Sequence, residues 1–350
     1  MLKDNQQREH FLVKMMMILM LKRLESSWYS FMITIERIYH HHENALNKIN
    51  EYQEFKSDLI IDENEAIYQD VIDEDETGIL DTFLFGKKNP ISLSVIDNAG
   101  NLEEFKNEIK KDKKSLKYIL DNVLEFKKKI NPEKELKSSD PKLEELLKII
   151  IEKQKAKNKK IVIFSAYKDT VQYLFNQLKT RGFTNYAMVA GDENNIWNET
   201  HPTKKHENIL ERFAPFTKLF KEKNWTNFEP SSKGLTEQEC FQEWQKYIQE
   251  SEPKIHLNIK NQIDILITTD VLSEGQNLQD ADMVINYDIH WNPVRVIQGL
   301  GRIDRIGSRN DSVQLVNFWP VTDLDHYLGV KLRVESRMAL VDLAATQTDN

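Results

Sequence analysis

The sequence of 350 residues contains a single cysteine, Cys240. A lone cysteine cannot close a disulfide within the chain, which fits a protein of the reducing cytosol. No residue near Cys240 in sequence supplies a paired base, so a catalytic thiol is not expected either. We therefore predict a cytoplasmic protein whose core is held without disulfides.

Long hydrophobic runs are also missing. The apolar stretch at residues 15–21 lies between Lys14 and Lys22, and it is far shorter than the ~20 residues that a membrane-spanning helix needs. No small-residue cleavage site follows it, as a signal peptide would require. We therefore expect no membrane segment and interpret the run as a buried face of a long helix.

A basic composition and a phosphate-binding loop are absent as well. Lys and Arg total 48 against 56 Asp and Glu, a net charge of -8, which argues against a uniformly basic nucleic-acid coat but not against a local basic groove. The pattern Gly-x-x-x-x-Gly-Lys-Ser/Thr does not occur, and the fragment Gly86-Lys87-Lys88 does not satisfy it. The acidic quartet 73–76 follows no apolar strand, so we interpret it as a solvated loop.

The first part of the chain is predicted to be mainly α-helical. Few breakers and apolar residues at helical spacing indicate a long helix or a helical hairpin between about residues 8 and 57. Residues 58–100 are acidic and rich in breakers, which indicates a loop-rich connector, whereas 102–158 are lysine-dense and helical in pattern. A new helix is predicted to start at Asp140, which can cap it, with Pro141 in the first turn.

From residue 159 onward, short apolar strands alternate with helices. Strands are predicted at 161–164, 186–190, 263–268, 283–287 and 313–318, and an amphipathic helix at 169–179. This alternation predicts an α/β fold in which helices cover both faces of a parallel sheet. An interruption at about 192–262 contains helical pieces, and we expect an ordered insertion because so long a structureless loop is improbable.

A phosphate-binding helix face is predicted near residue 300. Asn292 and Pro293 suit the start of a helix. Side chains spaced four and three residues apart share one helix face, and arginine offers a permanent charge and a fork of donors that match phosphate oxygens. Taken alone, a surface helix whose arginines pair with acids explains the pattern equally well. The side chains concerned are Gln298, Arg302 and Arg305.

A polar turn follows the predicted strand 263–268. The carboxyl ends of parallel strands are where open α/β sheets bind their ligands, and a glycine lets the backbone approach a phosphate closely. Combined with the arginine face, in this order and joined by a strand, the turn strongly indicates a phosphate-binding interface. Its polar residues and glycine are Thr269, Asp270, Ser273, Gly275 and Asn277.

These segments resemble a known family. Residues 138–320 resemble the C-terminal RecA-like lobe of superfamily-two helicases, most closely the Swi/Snf-type translocases and their bacterial RapA-like relatives. Residues 159–165 resemble motif IV of that family, 268–279 motif V and 298–307 motif VI. The resemblance implies a helical connector region at 1–137, a RecA-like lobe at 138–322 that carries the insertion, and a C-terminal helix and tail at 323–350.

The resemblance also implies roles for the two motifs. Arg302 and Arg305 would face ATP, bound with Mg²⁺ on a different lobe, and Arg305 would be the arginine finger that stabilises charge growing on the γ-phosphate. Gly275 and Gln298 would lie at the ATP interface. Contacts to a DNA or RNA backbone, and coupling of the nucleotide state to the strand, are implied for Ser165, Thr269, Asp270, Ser273 and Asn277. No metal-ligating residue is implied in this chain.

The first, ATP-binding lobe of such helicases has no counterpart in the sequence. The N-terminal helices, including Leu24-Glu25-Ser26-Ser27, look like the connector that normally follows that lobe. We expect half of an ATP-driven helicase or translocase, completed by a first lobe in cis or trans and unable to hydrolyse ATP alone. The alternative is a catalytically silent module, derived from such a helicase, that binds nucleic acid or protein. A stand-alone small-molecule enzyme has no nucleophile, metal cluster or dinucleotide fingerprint to support it.

Overall fold

A computed structural model describes residues 2–65, 83–85, 90–130, 140–199, 206–232, 234–269, 276–289, 298–304, 310–329, 331–332 and 335–336. The chain divides into two compact units. The first comprises residues 1–31 and 129–350, and the second comprises residues 32–128. The predicted domain boundaries, 1–137, 138–322 and 323–350, stay a prediction.

The described helices and strands follow one another in a definite order. They are α1 (Leu2–Ser26), α2 (Trp28–Glu65), β1 (Leu84–Phe85), β2 (Ile91–Ser92), α3 (Leu93–Asn98), α4 (Leu102–Ile130), α5 (Pro141–Lys153), β3 (Ile161–Ser165), α6 (Lys168–Thr180), β4 (Tyr186–Ala190), β5 (Glu193–Ile196), α7 (His206–Phe213), a π-helical segment (Phe216–Lys221), α8 (Glu237–Ser251), α9 (Pro253–Lys260), β6 (Ile265–Thr269), β7 (Met283–Asn286), β8 (Gln314–Asn317) and α10 (Thr322–Leu328).

A six-stranded sheet organises the first unit. Its strand order is β5-β4-β6-β3-β7-β8. The pairs β4–β6, β6–β3, β3–β7 and β7–β8 are parallel, and only β4–β5 is antiparallel among these described pairs. The predicted α/β fold with a mostly parallel sheet is confirmed by these pairings. Parallel strands cannot be joined by tight turns, so helices connect them as crossovers.

Both faces of the sheet are buried under helices. In β3, Ile161 and Ile163 point to a cluster that includes residues of α5 and α6. Val162 and Phe164 point to the opposite cluster, which includes residues of α7. The two clusters alternate along the strand because successive side chains in a strand face opposite ways. A strand buried on both faces therefore reads as the continuous apolar run seen in the sequence.

The start of α5 is determined by its cap. Asp140 is buried, and its Oδ1 accepts hydrogen bonds from the backbone N–H groups of Lys142 (3.1 Å) and Leu143 (3.2 Å). Pro141 occupies the first turn, where its missing N–H has no cost. The other carboxylate oxygen of Asp140 accepts a hydrogen bond from the Tyr173 hydroxyl at 2.8 Å. The predicted helix start is confirmed, and the same carboxylate also anchors α6.

The predicted insertion at 192–262 contains helices with an aromatic core of their own. Phe216, Phe241 and Trp244 are buried in this core. The carboxylate of Asp280, outside the insertion, accepts the backbone N–H groups of Phe216 (3.0 Å) and Thr217 (2.9 Å) and the Thr217 hydroxyl (2.6 Å). The π-helical segment is thereby tied to the residues just before β7.

The second unit has a small core between helices. Ile49 and Tyr52 of α2 pack with Leu93 of α3 and Leu102 of α4. The hydroxyl of Tyr52 donates to Asp97 at 2.8 Å. Helix α2 continues to Glu65, and α3 forms at Leu93–Asn98, so these parts of the stretch 58–100 are helical where a loop-rich connector was expected.

The apolar run of α1 is largely exposed. Ile18 and Leu21 pack with Leu328 and Ile289, but Met15, Met16, Met17 and Leu19 are 40% to 51% exposed. The prediction that this run is a buried helix face is therefore wrong for these four residues. Residues 15–21 span nearly two helical turns, so their side chains cannot all lie on one face of the helix. In the described part of the chain, no helix combines the length and hydropathy needed to cross a bilayer.

Replacement of Asp140 tests the coupling between α5 and α6. Asp140→Ala removes the helix cap, which costs about 1 kcal/mol, and leaves the Tyr173 hydroxyl without this acceptor, which costs about 1–3 kcal/mol. We expect a total loss of about 2–4 kcal/mol in the free energy of unfolding, measured by urea denaturation. Asp140→Asn keeps one acceptor oxygen for the cap and should lose clearly less. Equal losses in the two variants would contradict this role.

Candidate nucleotide and nucleic-acid interface

The carboxyl ends of β3 and β6 bring two of the predicted site residues together. Ser165 ends β3 and is the register partner of Thr269, which ends β6. Parallel strands end at the same edge of a sheet, so this pairing follows from the topology. Both residues are buried, Ser165 at 1% and Thr269 at 7% exposure. The carboxyl edge of the sheet is therefore shielded from solvent at these two residues.

The turn after β6 is described only in part. Asp270, Ser273 and Gly275 lie outside the described residues. Asn277 is half-buried, and its Nδ2 lies 3.5 Å from Oε1 of Gln279. The next N–H, of Leu278, donates to the carbonyl oxygen of Arg302 at 2.9 Å. This bond joins the polar turn to residues 298–304, which we call the arginine-bearing segment.

The arginine-bearing segment packs against the apolar core of the first unit. Ile303 is fully buried in the same cluster as Leu278. Gly299 is buried against Phe164, and a Cβ atom at this position would lie 3.4 Å from the aromatic ring. Phe164 is the penultimate residue of β3, so the segment lies near the carboxyl end of the sheet. Its backbone position is therefore set by apolar packing.

Two of the three predicted phosphate ligands lie on this segment. Gln298 is exposed and Arg302 is half-buried. Residues 298–300 are helical and 301–304 continue as turns, with the N–H of Arg302 donating to the carbonyl of Gly299 at 3.2 Å. Arg305 and the predicted helix start at Asn292-Pro293 lie outside the described residues.

A carboxylate that the sequence analysis did not select lies at the same edge. Asp288 follows β7 and is 7% exposed. Its Oδ2 accepts the hydroxyl of Ser165 at 2.6 Å and that of Ser26 at 2.5 Å, and its Oδ1 accepts the N–H of Ala166 at 2.6 Å. The only signal in the sequence was an acidic residue directly after an apolar strand. The predicted nucleic-acid residue Ser165 thus donates to a protein carboxylate.

The end of α1 covers this edge through polar contacts. The hydroxyl oxygens of Ser26 and Ser27 lie 2.7 and 2.8 Å from that of Thr170 in α6. Arg23 forms an ion pair with Asp169 at 3.0 Å. These contacts bind the last turn of α1 to the first turn of α6, so a segment that resembled a connector is part of the site's surroundings.

An ion pair between a half-buried lysine and a buried glutamate lies beside these hydroxyls. Lys142 Nζ donates to Glu25 Oε1 at 3.0 Å and to the Glu25 carbonyl oxygen at 2.6 Å, and it lies 4.5 Å from the centroid of the Tyr287 ring. Burial raises the pKa of Glu25 to about 7, against the lowering effect of Lys142, and the nearby Asp288 and Asp325 raise it further. Glu25 therefore changes charge near neutral pH.

Comparisons with known proteins point to helicases. Residues 245–307 match the family model described as helicase conserved C-terminal domain. The uncharacterized ATP-dependent helicase YqhH of Bacillus subtilis (strain 168) is 46% identical over 52 residues, which are 15% of this chain and 9% of that protein. The probable ATP-dependent RNA helicase ddx51 of Dictyostelium discoideum is 34% identical over 80 residues, 23% of this chain and 14% of that protein.

Two solved structures are also similar. The C-terminal part of the Fun30 ATPase domain aligns with a TM-score of 0.30 and 18% identity over 64% of this chain and 57% of that chain. The Pyrococcus furiosus Hef helicase domain aligns with a TM-score of 0.31 and 19% identity over 67% and 35% of the two chains. At such TM-scores the alignments support no conclusion about the fold.

The matched range bears on most of the candidate site. It contains the polar turn, Asp288 and the arginine-bearing segment, while Ser165 and the end of α1 precede it. This part of the chain is similar to the C-terminal domain of helicases, and the relatives above are named ATP-dependent helicases. The chain spans only 9% and 14% of the lengths of the two curated relatives.

Titration of Glu25 should appear in the pH dependence of stability. Because the folded-state pKa is raised, this group favours the folded state most below its unfolded pKa of about 4.5, and the contribution is lost as the pH rises through about 7. Relative to Glu25→Gln, wild type should lose roughly 1–3 kcal/mol in the free energy of unfolding over this window. Urea denaturation at a series of pH values measures the difference.

The exposed substitution Glu145→Gln on α5 serves as a matched control for adding an amide. A wild-type minus Glu25→Gln difference that stays constant between pH 4.5 and 8 would show that Glu25 does not titrate in this way.

Proposed function

We propose that this chain is the C-terminal motor lobe of an ATP-dependent nucleic-acid helicase or translocase, of the Swi/Snf type. It acts with a first, ATP-binding RecA-like lobe in cis or trans. The observation that carries the proposal is the backbone bond between Leu278 and Arg302, which brings the polar turn and the arginine-bearing segment together at the carboxyl end of a parallel sheet. The helicase match over residues 245–307 supports it.

Under this proposal the arginines act on a nucleotide held elsewhere. Gln298 is exposed and Arg302 half-buried on a packed segment, which fits phosphate oxygens presented by another protein surface. Guanidinium groups stabilise the charge that grows on the γ-phosphate in the transition state. Arg305 is proposed as the finger from its spacing in the sequence, with Gly275 at the same interface. ATP and Mg²⁺ would be held mainly by the first lobe.

The nucleic-acid contacts are proposed at the same edge. Thr269 and Asn277 are the described members of this set beside Ser165, and Asp270 and Ser273 join them from the sequence. Contacts of short polar side chains to a DNA or RNA backbone position the strand and carry little sequence information. The lobe boundaries 138–322 and the cytoplasmic location are proposed on the same basis.

The catalytically silent binding module is the second candidate. One observation favours it for the chain acting alone: the sequence contains no phosphate-binding loop. A motor lobe and a silent module differ in whether a first lobe restores hydrolysis that depends on the arginines.

ATP hydrolysis tests the choice. We expect no turnover by this chain alone, with or without single- or double-stranded DNA. Turnover is expected when a phosphate-loop first lobe is mixed with or fused to it. Arg305→Ala should then lower the rate about 10³-fold or more, because a finger is worth ~10³–10⁵ in rate. Arg302→Ala should lower it less, and Arg305→Lys should restore little because it lacks the planar fork.

The exposed Arg37→Ala in the second unit is the matched control and should leave the rate unchanged. Nucleic-acid binding without any hydrolysis in the mixture would favour the silent module. DNA-stimulated hydrolysis by the pure chain would overturn the expectation that a first lobe is required.

A further inference from the structure

The buried carboxylate of Asp288 accepts hydrogen bonds from a set of groups that could equally bind another anion. The hydroxyls of Ser26 and Ser165 and the N–H of Ala166 converge on its two oxygens at 2.5 to 2.6 Å. Among the described residues, no lysine or arginine forms an ion pair with Asp288. The carboxylate is therefore held by neutral donors, as anions are held in protein cradles of backbone and hydroxyl groups.

We propose that these three donors form a phosphate-binding cradle that Asp288 fills in the present arrangement. A phosphate oxygen can accept the same hydrogen bonds, since carboxylate and phosphate are both anions that accept from hydroxyl and N–H groups. Asp288 and a phosphate cannot occupy the cradle together, because both are negatively charged and need the same donors. Asp288 thus acts as an internal competitor for the ligand.

The position of the cradle suggests which ligand replaces the carboxylate. It lies at the carboxyl edge of the sheet, where open α/β sheets bind ligands, and it includes Ser165, the residue proposed to contact the nucleic-acid backbone. We therefore assign the cradle to one phosphodiester group of a single strand. This assignment rests on the proposed function, whereas the existence of an anion cradle does not.

Ser26 links the cradle to the end of α1. Its hydroxyl oxygen lies 3.5 Å from that of Ser165, and both donate to the same carboxylate oxygen. At 1% exposure, Ser165 is closed off from solvent while α1 lies in place. Entry of a phosphodiester therefore requires the last turn of α1 to move away as Asp288 leaves the donors.

The first experiment asks whether an anion can replace the carboxylate. Asp288→Ala leaves three donors facing an empty space and should melt several degrees below wild type in sodium chloride. Inorganic phosphate at matched ionic strength should recover most of this loss in Asp288→Ala and add little to wild type. The recovery should disappear in Asp288→Ala combined with Ser165→Ala. Phosphate that stabilises all three proteins equally, or none, would overturn the cradle.

The second experiment asks whether the anion belongs to nucleic acid. Binding of a fluorescent oligothymidylate by the full chain is measured by anisotropy at constant salt. Asp288→Ala and Asp288→Asn should each bind about three- to tenfold more tightly than wild type, and Ser165→Ala should bind more weakly. A merely structural role for Asp288 would weaken binding in both variants, so a loss of affinity would overturn the assignment.

Asp280→Ala is the matched control. It also removes a buried carboxylate that accepts from three donors, but before β7 rather than after it, and it should melt lower without any gain in oligonucleotide affinity. Phosphate rescue of Asp288→Ala without oligonucleotide binding by any variant would uphold the cradle and overturn the phosphodiester assignment together with the proposed nucleic-acid contacts. If Asp288→Ala does not fold, Asp288→Asn takes its place in both measurements.

Discussion

Parallel pairing of β3 with β6 on one side and β7 on the other is the constraint on which the rest of the first unit depends. The central strand has neighbours on both edges and helices on both faces, so each of its residues is buried. Burial requires every backbone group to be paired, and the sheet ladders satisfy this requirement. Because all three strands run the same way, the residues that follow them meet at one edge. Ser165, Thr269 and Asp288 are neighbours for this reason alone.

Placing acids at a buried edge has an electrostatic cost that the structure offsets in two ways. The carboxylate oxygens of Asp288 accept hydrogen bonds from hydroxyl and N–H donors, which replace the hydrogen bonds of water. Glu25 is compensated by Lys142, and burial raises its pKa so far that it can also hold a proton near neutral pH. The end of α1 is consequently bound to the sheet edge largely through polar contacts that an anion or a proton can alter. An apolar contact at this place would respond to neither.

The arginine-bearing segment combines buried apolar residues and more exposed polar residues on one short stretch. Gly299 and Ile303 face the core, where Phe164 and Leu278 receive them. Gln298 and Arg302 retain exposed surface on the same stretch. Under the proposed function, such a division suits a surface that meets a nucleotide on another lobe, because buried apolar residues position the backbone that carries the polar side chains.

Much of the fold was predictable from local patterns. The apolar runs placed five of the six strands of the sheet within about two residues of their bounds, and Asp140-Pro141 marked the start of α5, because both signals depend on neighbours in sequence. The sixth strand, β5, was not predicted and lies within the stretch interpreted as an insertion. The spacing of Gln298 and Arg302 and their position after the polar turn were read from the sequence, and the roles assigned to these residues stay a prediction. The exposure of Met15, Met16 and Met17 was not, since hydropathy records a preference for burial and not the presence of a partner.

The sequence alone therefore determined the α/β class, the positions of five of the six strands and the candidate phosphate-binding motifs, because periodicity, capping and residue chemistry are local properties. Tertiary structure alone decided that Ser165 is buried, that Asp288 accepts its hydroxyl, and that Ser26, 262 positions away from Asp288 in sequence, shares the same oxygen. No local pattern encodes a contact over such a separation. It exists only because the sheet topology and the path of α1 bring the three side chains to one edge.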